Sequence, residues 1–257
     1  MNISQTQLDY LCQLAKAAGH EIMEVYQGQI NSWQKDDNSP LTEADLRADK
    51  VIRVGLESHF PNVFILSEES RSAEQNTTPE TLFLVDPLDG TKEFLKRNDE
   101  FTVNIALVHQ GKVIAGVVYA PALNELFYAA IGLGCWKEDA TGKRQLTTAP
   151  RDRSQPLRII GSRSHGTDKL NDWLTTLSQS YTLVTAGSSL KFCRVADGQA
   201  DIYPRFGPTR QWDTAAAQCI VEQAGGKVAD LTGQPLRYGL DRELLNPFFI
   251  VTSERCV

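Results

Sequence analysis

The chain has 257 residues, a net charge of −6, and 41% hydrophobic and 23% charged residues. That balance is ordinary for a globular protein long enough to bury about three quarters of its unfolded surface. The longest apolar runs, Thr81–Val85 and Val113–Ala122, fall short of the roughly 20 residues a membrane span requires. The acidic balance excludes a nucleic-acid polymer as partner, because binding one requires a basic face. Cys12, Cys135, Cys193, Cys219 and Cys256 are scattered, odd in number and without a Cys-x-x-Cys pair. This excludes a disulfide framework and a cysteine zinc site and predicts reduced thiols; with no leader-like pattern ahead of the first helix, secretion is not expected.

Apolar residues at three- and four-residue steps predict a helix over Ser4–Gln27, ended by Gly28. A polar loop, Ser32–Pro40, follows. A second helix is expected from about Thr42 to His59, with Thr42 as N-cap and Asp45 three residues on. Val63–Leu66 and Thr81–Val85 read as buried strands. The first ends in Ser67-Glu68-Glu69 and the second in a turn, Asp86-Pro87-Leu88-Asp89-Gly90-Thr91. Phe101–Val108, Lys112–Tyr119 and Glu125–Ala130 read as an antiparallel meander. The polar, proline-bearing segment Glu138–Pro156 reads as a linker between two subdomains, 1–150 and 151–257. The first carries most of the candidate site and the second completes it. In the second, strands at Leu157–Gly161, Tyr181–Thr185, Asp201–Tyr203, Lys227–Ala229 and Phe248–Val251 alternate with helices at Asp168–Ser178, Ser188–Ala196 and Asp213–Ala224, an α/β layer.

Four acidic signals carry the chemistry. Asp86 and Asp89 are three apart after an apolar strand, with Pro87 fixing the backbone between them and Gly90 permitting a close approach. The amides after Gly90 open a short helix suited to phosphate. Glu68-Glu69 also follows a strand, Asp213 opens a helix of small residues behind Trp212, and Asp45 lies in the first turn of the second helix. Taken singly, these are an Asp-Gly turn, a solvated acidic turn, a helix cap and a dipole partner. Taken together, several follow strand ends, where open α/β folds place ligands. Two like charges about 4 Å apart cost about 4 kcal/mol at an effective dielectric of 20. Four convergent carboxylates therefore require a cation, and all-oxygen ligands favour Mg²⁺ or Mn²⁺ over zinc. Such a cluster serves phosphate ester hydrolysis.

The glutamate pair, the Asp86-Pro87-Leu88-Asp89-Gly90-Thr91 loop and Trp212-Asp213-Thr214-Ala215-Ala216 resemble, in order, the three signatures of the inositol monophosphatase superfamily. The similarity covers nearly the whole chain. Lys92-Glu93-Phe94, Gly187-Ser188-Ser189-Leu190-Lys191-Phe192-Cys193 and Tyr203-Pro204-Arg205-Phe206-Gly207-Pro208-Thr209 resemble its bacterial 3'(2'),5'-bisphosphate nucleotidase branch. The resemblance implies a layered α/β/α/β/α sandwich and two to three Mg²⁺ ions, with Mn²⁺ as a substitute. Glu68 and Asp86, with the carbonyl of Leu88, would hold the first ion; Asp86, Asp89 and Asp213 the second; Glu68 a looser third. Asp45 and Thr91 would position and deprotonate the attacking water, and the Gly90 and Thr91 amides would hold the scissile phosphate.

The substrate implied is a small nucleotide bisphosphate, adenosine 3',5'-bisphosphate, cleared as a by-product of sulfate activation by a lithium-sensitive cytoplasmic enzyme. Relatives of this kind are placed on the cytoplasmic face of the inner membrane, although no strong amphipathic anchor is present. Lys191 and Arg194, three apart on one helix, can face the same way. Lys191, with Ser188 or Ser189 and Arg205, is expected to meet the 5'-phosphate or the nucleoside; a solvated helix face is the competing reading. His165 reads as a surface or substrate-rim residue. Inositol monophosphatase or fructose-1,6-bisphosphatase activity, and a non-catalytic Mg²⁺- or phosphate-binding regulator, remain open alternatives. Oligomeric state is not legible in the sequence.

Overall fold

A computed structural model describes residues 2–35, 40–70, 78–148, 154–162 and 168–253. Arg163, Ser164, His165, Asp36, Asp37, Cys256 and most of the acidic segment 70–79 lie outside the described residues. Helix α1 (Gln5–Gln27) starts at a capping box in which Ser4 and Gln7 satisfy each other's backbone amides. Two short strands, β1 (Ser32–Gln34) and β2 (Pro40–Thr42), pair antiparallel where a loop is expected. Helix α2 (Glu43–His59) follows, with its own capping box between Thr42 and Asp45.

Strands β3 (Phe64–Ser67) and β4 (Thr81–Asp89), helix α3 (Thr91–Leu95), and strands β5 (Thr102–His109), β6 (Lys112–Ala120), β7 (Glu125–Ala130), β8 (Gly134–Asp139) and β9 (Gly142–Leu146) follow. These strands form one seven-stranded sheet in sequence order. Only the β3–β4 pair is parallel. The antiparallel meander is therefore present and longer than the sequence suggests. The hairpin of β8 and β9 occupies the start of the expected linker, and β9 is exposed except at Leu146.

Next come β10 (Leu157–Gly161), α4 (Asp168–Thr175), β11 (Tyr181–Thr185), α5 (Leu190–Ala196), β12 (Ile202–Arg205), α6 (Gln211–Gln223), β13 (Lys227–Asp230) and β14 (Phe249–Thr252). Their strands form a second, mixed sheet in the order β11-β10-β12-β14-β13.

Strand alternation builds the layers. Phe83 and Val85 of β4 join α1 and α2 in one core, whereas Leu82 and Leu84 join α5 and α6 in another. Phe249 and Val251 of β14 close that second core from the smaller sheet. Leu157, Ile159 and Ile202 on the far face pack with Leu174 of α4. The result is the layered α/β/α/β/α sandwich, in which strands covered on both faces read as continuous apolar runs. Cys12, Cys135, Cys193 and Cys219 are free and buried. No helix among the described residues is long and apolar enough to cross a membrane.

Candidate active site

The acidic loop is not a simple turn. Strand β4 continues through Asp86, Pro87 and Leu88 to Asp89, with its register against β5 shifted between Asp86, opposite Asn104, and Asp89, opposite Thr102. The irregularity carries both carboxylates toward one end of the sheet, a common use of a bulge beside a site. Gly90 then takes a left-handed conformation (φ 94°) and opens α3, a backbone state that costs glycine little. Glu68 leaves the end of the neighbouring strand β3, its amide donating to the Val85 carbonyl at 3.0 Å. Asp213 arrives on the first turn of α6, where its carboxylate accepts the Arg210 amide at 2.8 Å.

Glu68, Asp86, Leu88, Asp89, Gly90, Thr91 and Asp213 line one cleft of about 440 Å³. As the side chains stand, no three of the described Asp, Glu, His and Cys residues are grouped to hold a single ion. Each carboxylate faces a protein donor instead. Glu68 accepts Lys35 at 2.7 Å, and Lys35 also binds Glu69. Asp89 accepts the Ser189 amide and hydroxyl, both at 2.7 Å, and the Asn104 amide group at 3.3 Å.

Electrostatics nonetheless ties the carboxylates together. Burial, with the charges of Glu68, Asp89, Asp213 and Asp45, holds Asp86 well above the usual carboxylate range. Burial, then the charge of Asp89, pushes Asp213 up to about 8. Burial likewise pushes Glu69 up to about 7. Lys35 is the stand-in cation: burial works against its charge, yet Glu68 and Glu69 hold it above its ordinary range. An all-oxygen, mutually repelling donor set already engaged with one ammonium fits a hard divalent cation.

Asp45 is buried behind Thr91 of this cleft. Its Oδ2 accepts the Thr42 amide at 2.7 Å and the Thr42 hydroxyl at 2.6 Å. Its Oδ1 receives the Thr91 hydroxyl at 3.3 Å. Burial pushes this carboxyl up to about 6 although the Thr42 hydrogen bonds pull it down. The Asp45–Thr91 pair expected from the sequence is thus in hydrogen-bond contact.

A second cavity of about 120 Å³ adjoins the first, sharing Asp89, Gly90, Glu93, Arg205, Thr209 and Asp213. Lys191 lines it, fully inside the protein and not on a solvated helix face. It donates to the Ser188 carbonyl at 2.7 Å and lies over the Tyr203 ring at 5.6 Å. Burial pushes its ammonium down to about 8. Ser188 Oγ and Arg205 Nε are buried there without a hydrogen-bond partner, and Ser188 holds a left-handed backbone (φ 42°). Ser189 also lines the cavity, but its hydroxyl faces Asp89 and Asn104.

Arg194 corrects the expectation of a shared face: it turns away from Lys191 to pair with Glu125 at 2.6 Å. From the sequence alone Lys35 is one cation of a polar loop and Asn104 an unmarked position within a strand. No local signal marks either residue, because both reach the site through pairing with distant chain segments.

Carboxylates at strand ends, a hydroxyl poised on a buried aspartate and a cationic side cavity define a phosphatase site. Comparison with known proteins agrees. The profile of the inositol monophosphatase family matches residues 4–253. Over 248 residues the chain is 50% identical to the 3'(2'),5'-bisphosphate nucleotidase CysQ of Salmonella typhimurium, covering 95% of this chain and 99% of that protein. It is 49% identical to CysQ of Escherichia coli K12 with the same coverage. The crystal structure of CysQ from Bacteroides thetaiotaomicron superposes with a TM-score of 0.85 at 36% identity, covering 98% of both chains. The chain belongs to the inositol monophosphatase family, whose members are metal-dependent phosphatases that generally use Mg²⁺.

Proposed function

We propose that this chain is a Mg²⁺-dependent 3'(2'),5'-bisphosphate nucleotidase that converts adenosine 3',5'-bisphosphate to AMP and phosphate in the cytoplasm, clearing a by-product of sulfate activation. The observation that carries the substrate is the second cavity. A phosphomonoester of a simple alcohol has no use for a buried Lys191, an unpartnered Arg205 Nε and an unpartnered Ser188 Oγ beside the carboxylate cleft. A non-reacting second phosphate does, because a buried donor without an acceptor costs about 1–3 kcal/mol until a ligand satisfies it. Half-identity to CysQ over nearly the full chain supports the same substrate.

In this reading Glu68, Asp86 and the Leu88 carbonyl hold one ion, Asp86, Asp89 and Asp213 a second, and Glu68 a looser third, with Mn²⁺ able to replace Mg²⁺. Bound there, the cations supply Lewis-acid stabilisation of phosphoryl and leaving-group oxygens and increase the acidity of water. The chain's own residues do the rest. Thr91 Oγ accepts a hydrogen from the attacking water while donating its own to Asp45 Oδ1. Asp45, raised to about 6, takes up the proton near neutral pH. The Gly90 and Thr91 amides hold the scissile phosphate in line with that water. The water oxygen bonds to phosphorus as the P–O3' bond breaks, and the 3'-oxygen leaves on the side where Asp213 would hold the second cation, taking a proton from solvent to become the 3'-hydroxyl of AMP.

Phosphate release from adenosine 3',5'-bisphosphate, inositol 1-phosphate and fructose 1,6-bisphosphate, with and without Mg²⁺ and Li⁺, tests the assignment. The nucleotide is expected to be hydrolysed fastest, only with Mg²⁺, and to be inhibited by Li⁺. Faster turnover of either sugar phosphate would assign the chain to another activity of the family.

A further inference from the structure

One turn beyond Asp45 on α2 lies a second buried carboxylate, Asp49, which the mechanism does not use. Its two oxygens serve one short loop: Oδ1 accepts the Ser67 hydroxyl, and Oδ2 accepts the Ser70 hydroxyl at 2.7 Å. These serines bracket Glu68 and Glu69. The bracket is closed by the Ser67 amide donating to the Ser70 carbonyl at 2.7 Å. One turn further, Arg53 donates to Ser70 Oγ at 3.1 Å. Residues four apart share a helix face, so one rigid element carries both Asp45 and the clamp on the Glu68 loop. A carboxylate that grips both ends of a loop fixes its rotation as well as its distance.

We propose that Asp49 is a positioning residue. It sets Glu68 against Asp86 and Asp45, and through that placement it sets the affinity for the divalent cation, touching neither ion nor substrate. The inference rests on the reading of Glu68 as a metal ligand. Residues that hold a ligand in place typically account for about 10–100-fold in metal affinity.

The test is Mn²⁺ binding to the purified full chain, followed by electron paramagnetic resonance of the free ion, beside the Mg²⁺ dependence of phosphate release. Asp49→Ala is expected to weaken Mn²⁺ binding about tenfold or more and to raise the half-saturating Mg²⁺ in parallel, with kcat at saturating Mg²⁺ kept within about threefold. Asp49→Asn, which keeps one acceptor oxygen, is expected to fall between. Ser70→Ala, which removes one arm of the clamp at the protein surface side, serves if the alanine variant does not fold, and is expected to weaken Mn²⁺ binding in the same direction. Mn²⁺ binding unchanged in Asp49→Ala, or in Ser70→Ala where the former does not fold, overturns the proposal, even if the melting temperature falls. Glu68→Gln is the reference: if that variant binds Mn²⁺ like the parent, the ligand assignment itself is wrong and the positioning role falls with it.

Discussion

Lys191 shows how much a single side chain is asked to do. Its ammonium is enclosed, donates to the Ser188 and Ala186 carbonyls just ahead of its helix, and is depressed to about 8 by burial. A bound phosphate restores the charge that burial penalises, so affinity for the second phosphate should depend on pH through this group. Lys191→Met is expected to raise KM for adenosine 3',5'-bisphosphate about 10–100-fold, the size of one lost charged hydrogen bond. Turnover of a simple phosphomonoester is expected to stay within about twofold. Equal losses on both substrates would place Lys191 in the fold and not at the ligand. The sign with pH follows from the depressed value: above pH 8 the parent loses the proton, so KM for the bisphosphate should climb between pH 7 and 9, whereas the methionine variant stays flat. Steady-state kinetics across that range decides the matter.

Among the elements, α6 matters most, because its first turn delivers Asp213 and its body lies on the larger sheet. Strand β6 receives it at Gly116, where an added Cβ would sit 2.2 Å from the Ala216 carbonyl oxygen. Backbone cannot yield as a side-chain tip can, so Gly116→Ala must displace the helix. The expected cost is about 1–3 kcal/mol or more, a melting temperature lower by several degrees, and a higher half-saturating Mg²⁺ because Asp213 moves with the helix. Calorimetry with a Mg²⁺ titration tests this; a variant melting with the parent would mean that the contact relaxes freely. The N-terminus of α2 is the other sensitive joint. The capping box that starts the helix includes the Thr42 amide bond to Asp45 Oδ2, and the Thr42 hydroxyl donates to the same oxygen, so helix stability and the placement of the proposed base share those atoms.

For the molecule as a whole, the cleft is an electrostatic load that a cation removes. Asp45, Glu69 and Asp213 rise to about 6, 7 and 8, and Asp86 rises well above its usual range. A carboxyl whose folded value is raised holds its proton more tightly when folded. Its stabilising contribution is therefore fully present below the unfolded value near 4 and is lost as pH climbs through the folded value. Metal-free protein in EDTA should accordingly lose melting temperature between pH 5 and 9. Excess Mg²⁺ should restore it, most strongly at the alkaline end, where saturation at 100 times Kd is worth about 2.7 kcal/mol. Asp86→Asn should melt higher than the parent in EDTA at pH 8 and respond little to Mg²⁺. A Mg²⁺ response of the parent's size in that variant would remove Asp86 from the ligand set.

The amino-acid sequence by itself determined the parts that rest on local periodicity and on short spacings. The amphipathic repeat of Leu8, Leu11, Ala15, Ala18 and Ile22 specifies α1, and the apolar runs ending in Glu68 and Asp86 specify the strands that deliver them. The family signatures specify the layered fold and the chemistry. Tertiary structure decided the rest, because those features depend on segments far apart in sequence. The hairpin of β8 and β9 was hidden because Gly142–Gln145 face solvent and read as linker. Arg194 and Lys191 were separated because Glu125, from another sheet strand, draws one charge outward while the core encloses the other. The mutual repulsion of Asp86, Asp89 and Asp213, the ammonium of Lys35 between Glu68 and Glu69, and the grip of Asp49 on Ser67 and Ser70 exist only once the layers stack. Coulomb energy and hydrogen bonding depend on distances through space, and only the folded chain sets those.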